Sequence, residues 1–204
     1  MFITFEGSEG CGKTSQMAAL VKFLRAEGHP VLATREPGGT PIGDQIRTVI
    51  TSLQNTGMLP RTEILLFQAS RAQLVEQIIR PHLDEGEVVI CDRFGDSTLA
   101  YQGYGYQLDL ELLRLMVSFA TGGLKPDLTL LLDLDVEMGL QRRAKAGGMN
   151  RLDNYDLEFY RRVRSGYLEM ATLEPQRWVV VDAEPSFDAI QENIRKIVMG
   201  RLGL

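Results

Sequence analysis

Cysteine is scarce in this 204-residue chain, and the two present, Cys11 and Cys91, lie far apart. They offer neither the Cys-x-x-Cys spacing of a metal site nor the density of a disulfide scaffold, so both are expected to be small, reduced and buried. Long apolar runs are also missing. Stretches such as Leu130-Leu131-Leu132 fall far short of the ~20 residues that cross a bilayer, and Glu6 interrupts the N-terminus before a signal-peptide core can form. No membrane partner is expected, and the cytoplasm is the expected compartment. Positive charge is in deficit, with 22 Lys and Arg against 27 Asp and Glu, a net charge of -5 and a pI near 5.2. That excludes general electrostatic adhesion to nucleic acid or anionic membrane, and any bound anion must be held locally. No internal repeat, low-complexity tract or Pro/Gly/Ser linker occurs, so residues 1–204 are read as one domain. With 44% hydrophobic and 24% charged residues, disorder, collagen and coiled coil drop out.

What is present is an alternation of short apolar runs with helical periods. Strands are expected over Phe2 to Glu6, Pro30 to Thr34, Glu87 to Cys91, Leu128 to Asp133 and Arg177 to Asp182. Between them, apolar residues recur three and four apart: Met17, Leu20, Val21 and Leu24 within Lys13 to Ala26; Leu66, Phe67, Leu74 and Ile78 within Glu63 to Arg80; Phe187, Ile190, Ile194, Ile197 and Val198 in the tail. Strand–helix alternation with doubly buried strands predicts an α/β fold, a five-stranded parallel sheet with helices on both faces. Ligands of such sheets bind beyond the carboxyl ends of the strands.

At the first of those ends, Gly7-Ser8-Glu9-Gly10-Cys11-Gly12-Lys13-Thr14 fits G-x-x-x-x-G-K-[ST] at every position, after a strand and before a helix. Its glycines let successive N–H groups point at one phosphate, Lys13 reaches the β and γ phosphates, and Thr14 ligates Mg²⁺. A nucleoside-triphosphate site does not name a reaction. The guanine-reading Asn-Lys-x-Asp of a GTPase is absent, and no strand candidate ends in the Asp-Glu of a motor or transporter ATPase.

Three further segments narrow the choice: Thr34-Arg35-Glu36-Pro37-Gly38-Gly39-Thr40, Phe67-Gln68-Ala69-Ser70-Arg71, and Asp92-Arg93-Phe94-Gly95-Asp96-Ser97-Thr98-Leu99-Ala100-Tyr101-Gln102-Gly103. In this order, behind the phosphate loop and before a basic segment, they resemble thymidylate kinases from Ile3 to about Asp182. The resemblance implies a P-loop nucleoside monophosphate kinase fold and transfer of the ATP γ-phosphoryl group to dTMP, giving dTDP. It also implies a homodimer. Phe67 would stack on thymine, and Arg71, one turn later on the same face, would donate to its O4. Thr98 would meet the N3 edge and Tyr101 would pack beneath the deoxyribose, excluding a 2′-hydroxyl. Ser97 and Gln102 either join this site or simply cap and pack the helix. Arg35 and Arg93 would clamp the acceptor phosphate, Glu9 would contact the 3′-hydroxyl, and Asp92 would hold the water shell of Mg²⁺.

Between Gly139 and Leu152 lie Arg142, Arg143, Lys145 and Arg151 with no acid among them. With Gly147-Gly148 in the same stretch, this suits a lid over 141–153 that closes on a polyphosphate. The phosphate loop interior carries no base, so the resemblance is to the bacterial type whose catalytic arginine sits in the lid. Arg142 and Arg151 are expected to act there, with Arg143 in support. Asn150-Arg151-Leu152-Asp153 stands where that type usually shows Asp-Arg-x-Glu, which bears on lid closure more than on chemistry. Asp182-Ala183-Glu184-Pro185 matches a turn beside the adenine. The rivals are a deoxynucleoside kinase, which would want a carboxylate base near the 5′ position, and a nucleotide switch without turnover.

Overall fold

A computed structural model describes residues 1–147, 150–153 and 155–203. Gly148 and Met149, within the expected lid, therefore lie outside the described residues.

The five strands are β1 (Phe2–Glu6), β2 (Val31–Arg35), β3 (Val88–Asp92), β4 (Leu128–Asp133) and β5 (Trp178–Asp182), each within one residue of the sequence expectation. All pairings are parallel in the order β2-β3-β1-β4-β5, which puts β1 at the centre. Parallel neighbours need crossovers, and helices supply them on both faces. The period of two along β1 sends Ile3 and Phe5 to one face, against Leu20, Val21 and Leu24 of α1 (Lys13–Ala26) and Ile190, Ile194 and Val198 of the C-terminal helix Phe187–Leu202. Phe2, Thr4 and Glu6 take the other face. Phe2 packs there with Val89, Leu74 and Ile79, and Thr4 meets Thr129 hydroxyl to hydroxyl at 3.0 Å. Glu6 is thereby carried, fully buried, to the carboxyl end of the central strand.

The remaining helices are α2 (Pro41–Thr51), α3 (Pro60–Leu74), α4 (Arg80–Asp84), α5 (Gly95–Thr98), α6 (Leu110–Thr121), α7 (Val136–Ala146) and α8 (Leu157–Leu173), with Phe187–Leu202 as α9. The expected helix over Glu63 to Arg80 is longer: α3 runs through a π turn, Val75–Ile79, into α4. This widening precedes Pro81, which has no N–H to continue the ladder. A second π turn, Leu99–Gly105, follows α5 and packs on α8. Among the described residues no helix is long and apolar enough to cross a membrane.

Candidate active site

The carboxyl ends of β1, β2 and β3 open into a cavity of about 580 Å³. Its wall brings together Glu9, Gly10, Gly12, Lys13 and Thr14 from the loop after β1, Arg35 from β2, Phe67 and Arg71 from α3, and Asp92 and Arg93 from β3. Ser97, Thr98, Tyr101 and Gln102 join from α5 and the π turn behind it, and Arg142 and Arg143 from α7. Of the expected site residues, Gly7, Ser8, Cys11 and Arg151 lie off the wall.

The loop 7–14 folds tightly because two glycines have no room for a side chain. Gly7 (φ 137°) would place a Cβ 2.5 Å from the Leu132 carbonyl oxygen, and at Gly10 (φ 70°) a Cβ would collide with the carbonyl oxygen of Gly139 on α7. The loop is thus pressed against the helix that carries the basic segment. Inside it, the buried Lys13 Nζ donates to the carbonyls of Gly7 (3.0 Å) and Ser8 (2.8 Å), and the Cys11 thiol donates to Ser8 O. Both cysteines are buried and unpaired. Ser8 Oγ, buried here, finds no partner among the described residues. Thr14 Oγ1 donates to Asp92 Oδ2 at 2.6 Å, an exposed pair of hard oxygen donors that fits Mg²⁺. Among the described residues no cluster of three His, Cys, Asp or Glu could hold a metal, so such an ion would take its other ligands from water and substrate phosphates.

Arg93 sits at φ 68°, a left-handed conformation uncommon for a residue with a side chain and frequent at functional sites. Its guanidinium is held on all sides. Nη2 donates to Glu9 Oε2 (2.8 Å) and Tyr101 Oη (3.0 Å), Nη1 to Ser97 Oγ and Tyr167 Oη (both 3.2 Å), and the group lies 4.9 Å from the Tyr101 ring centre. Beneath it, Glu6 accepts from the Phe94 N–H (2.7 Å), Ser97 Oγ (2.6 Å) and Tyr167 Oη (2.8 Å). Burial and the nearby Asp96 charge push the Glu6 carboxyl up to about 7, against the lowering effects of Arg93, Ser97 and Tyr167. Glu9 goes the other way: burial raises it, but the charges of Arg93 and Lys13 and the Tyr101 hydrogen bond outweigh that and hold it below its ordinary value.

Arg71 is 1% exposed and ion-paired with Glu36, itself 3% exposed. Its five N–H groups are all engaged: Nε and Nη2 fork onto Glu36, Nη2 also reaches the Phe94 carbonyl (3.1 Å), and Nη1 donates to Gln68 Oε1 (2.8 Å) and Thr98 Oγ1 (3.0 Å). A base taking a hydrogen bond from Arg71 must therefore replace Gln68 or Thr98. Phe67 belongs to none of the buried clusters and faces the cavity instead. Gln102 lines the wall but donates to the buried Glu63 at 2.9 Å.

In the basic segment, Arg142 donates to the Ala183 carbonyl (3.1 Å), inside the turn expected to lie beside adenine. Arg143 forks onto Asp153 (2.9 and 2.8 Å). Arg151, expected to act in the lid, is not among the residues lining the cavity. Its guanidinium is buried off the wall, donating to Glu63 Oε2 (2.5 Å) and the Ile50 carbonyl (2.8 Å), because the buried Glu63 carboxylate requires a cation. Sequence reasoning also missed Arg47 on the wall, whose charge form is disfavoured by burial and by neighbouring Arg35, and the supporting trio Glu6, Glu36 and Tyr167. For Glu36 a signal existed, since it lies inside the Arg35-Glu36-Pro37-Gly38-Gly39 run; for Arg47 and Tyr167, which stand among other polar residues of α2 and α8 and in no motif, there was none.

Comparison with known proteins identifies the family. The thymidylate kinase family model matches residues 5–194. A thymidylate kinase of Deinococcus radiodurans is 52% identical over 201 residues, covering 98% of this chain and 97% of its own length. One from Roseiflexus sp. (strain RS-1) is 48% identical over 210 residues, covering 97% and 93%. The crystal structure of thymidylate kinase from Ehrlichia chaffeensis superimposes with a TM-score of 0.82 at 33% identity, covering 97% of this chain and 98% of that one. With a family model matching nearly its whole length and relatives about half identical to it, the chain belongs to the thymidylate kinase family.

Proposed function

We propose that the γ-phosphoryl group of ATP passes to the 5′-phosphate of dTMP across this cavity, with the donor in the loop 7–14 and the acceptor against Arg93. The observation that carries the reading is the shared wall: Lys13, the Thr14–Asp92 pair, Arg35, Arg47, Arg93, Phe67 and Arg71 all line one cavity. Thr14 and Asp92 would hold Mg²⁺, which when bound neutralises charge between donor and acceptor phosphates. The acceptor oxygen is already an anion at neutral pH, so no protein base is required, and positioning and charge neutralisation carry the catalysis. Arg93, locked by Glu9, Ser97, Tyr101 and Tyr167, aims the acceptor phosphate. Lys13 exchanges its loop carbonyls for phosphate oxygens. Arg142 and Arg143, with α7 and the segment to 153 acting as a lid on a single domain, shield and neutralise the group in transit.

A nucleoside kinase would need a free carboxylate at the 5′ end. Glu36, the wall carboxylate on the β2 side, gives both oxygens to Arg71. A coupled ADP-release assay across thymidine and all nucleoside monophosphates tests the reading: dTMP should be turned over in preference to thymidine and ribonucleotides. Equal turnover of thymidine would contradict it.

The acting form is a homodimer in the cytoplasm. Leu112, Leu115 and Phe119 repeat along one face of α6 at 56%, 69% and 91% exposure, and Leu65 of the adjoining α3 adds to it at 59%. An apolar face of this kind suits a second copy of the chain. Phe119→Glu should convert a dimer to a monomer in sedimentation; a monomeric parent would contradict the assignment.

A further inference from the structure

Glu63 lies off the cavity and outside every role described above, yet it touches both halves of the site. Its carboxylate, 1% exposed, accepts from Gln102 Nε2 (2.9 Å) and Tyr106 Oη (3.2 Å) on Oε1, and from Arg151 Nη2 (2.5 Å) on Oε2. These donors have different allegiances. Gln102 belongs to the wall of the base pocket. Arg151 opens the 3₁₀ turn Arg151–Asp153, and its Nε is anchored on the Ile50 carbonyl at the end of α2. The last residue of that turn, Asp153, forks onto Arg143, which is back on the cavity wall. A continuous path of buried and half-buried polar contacts therefore runs from the base pocket through Glu63 to the lid.

We propose that Glu63 is a positioning residue that couples acceptor binding to the seating of the lid. A buried carboxylate needs its full set of donors. A pyrimidine that draws the Gln102 amide toward itself removes one of them, and the carboxylate then leans more heavily on Arg151. Tightening that pair fixes the 3₁₀ turn, and with it Asp153 and the guanidinium of Arg143. The consequence is order of binding: acceptor occupancy prepares Arg143 to meet the donor's phosphates, which limits wasteful attack of water on ATP when no acceptor is present. This rests on the reading of the cavity as the dTMP site.

The test uses the full-length enzyme with dTMP alone. In hydrogen–deuterium exchange, amides of residues 150–153 should gain about tenfold protection in the wild type when dTMP is added. Glu63→Gln keeps the shape of the side chain but removes its charge. It should bind dTMP within about tenfold of wild type by calorimetry, yet show less than twofold change in lid protection, with kcat about tenfold lower and the ATP KM within twofold. Unchanged lid protection in wild type with dTMP bound, or full protection in Glu63→Gln, would overturn the proposal. A wild type that fails to bind dTMP in the calorimeter would overturn the functional reading itself. Should Glu63→Gln not fold, Arg151→Lys, which keeps a cation but loses the fork between Glu63 and Ile50, carries the same expectation, and retained protection in that variant overturns the proposal.

Discussion

On the proposed reading, the acceptor half and the donor half of the cavity are built differently. Around Arg71 and Arg93, each guanidinium is held by several short hydrogen bonds to partners that are themselves buried or shared, so the geometry exists before any substrate arrives. On the donor side, Lys13 leans on two loop carbonyls, Arg142 on one carbonyl and a thioether, and Thr14 on the Asp92 carboxylate, all contacts that a polyphosphate can replace. The difference matches the two tasks. Selecting one base and one sugar requires fixed donors whose mismatch leaves buried groups unpaired. Transferring a phosphoryl group requires cations that arrive with the transition state and leave afterwards.

Replacing a fixed donor and replacing a mobile one should therefore give different kinetic signatures. The largest effect is expected for Arg93→Lys. An ammonium cannot reproduce a planar fork onto Glu9, Tyr101, Ser97 and Tyr167, and kcat/KM for dTMP should fall about 10³-fold. A fall below tenfold would show that charge alone suffices there. Next, Arg142→Ala should lower kcat about 10²-fold with the dTMP KM within about threefold, the signature of a group felt mainly in the transition state. A rise in the dTMP KM without loss of kcat would place Arg142 on the acceptor side.

Arg71→Ala should show the opposite split, raising the dTMP KM by roughly 10- to 100-fold with the ATP KM little changed. It also leaves Glu36 buried without its cation, a loss on the order of 3–5 kcal/mol of stability. Adding Glu36→Gln should restore part of the melting temperature but none of the dTMP affinity. Recovery of affinity in the double variant would mean that Arg71 only supports the fold.

The smallest effect concerns pH. The Glu6 carboxyl is raised from 4.5 to about 7 in the folded protein, so the folded state holds its proton more tightly than the unfolded chain does. Its contribution is favourable below about 4.5 and is lost as pH rises toward 7. Glu6→Gln does not titrate, so its melting temperature relative to wild type should rise between pH 4.5 and 7 and level off above that. Calorimetric scans across this interval check the sign; a flat difference would place the titration elsewhere.

Much of this was legible in the residues. The doubly apolar runs located the five strands to within a residue, the period over Lys13 to Ala26 matched α1 at both ends, and the loop 7–14 falls between β1 and α1 as its spacing requires. What could not be read were partnerships formed across the fold. Tyr167 reaches Glu6 from 161 positions away, and Arg71 meets Glu36 across 35. The sequence shows an arginine on a helix face but not the carboxylate that will face it. Arg151 is the clearest case. Its place in a basic segment shows a cation, but not that its partner is the buried Glu63, which the helical pattern treats as one more polar position on α3.

The contrast between a prebuilt acceptor half and a rearranging donor half can be measured through the arginine Nε–H signals in ¹⁵N-edited NMR spectra of the nucleotide-free enzyme, with Arg71→Lys and Arg142→Ala identifying the two resonances. The Arg71 signal should be sharp, protected from solvent exchange by its bonds to Glu36, and unmoved when a non-hydrolysable ATP analogue is added, while the Arg142 signal shifts. An Arg71 signal that exchanges with water as fast as the exposed arginines, and sharpens only with substrate, would contradict the account.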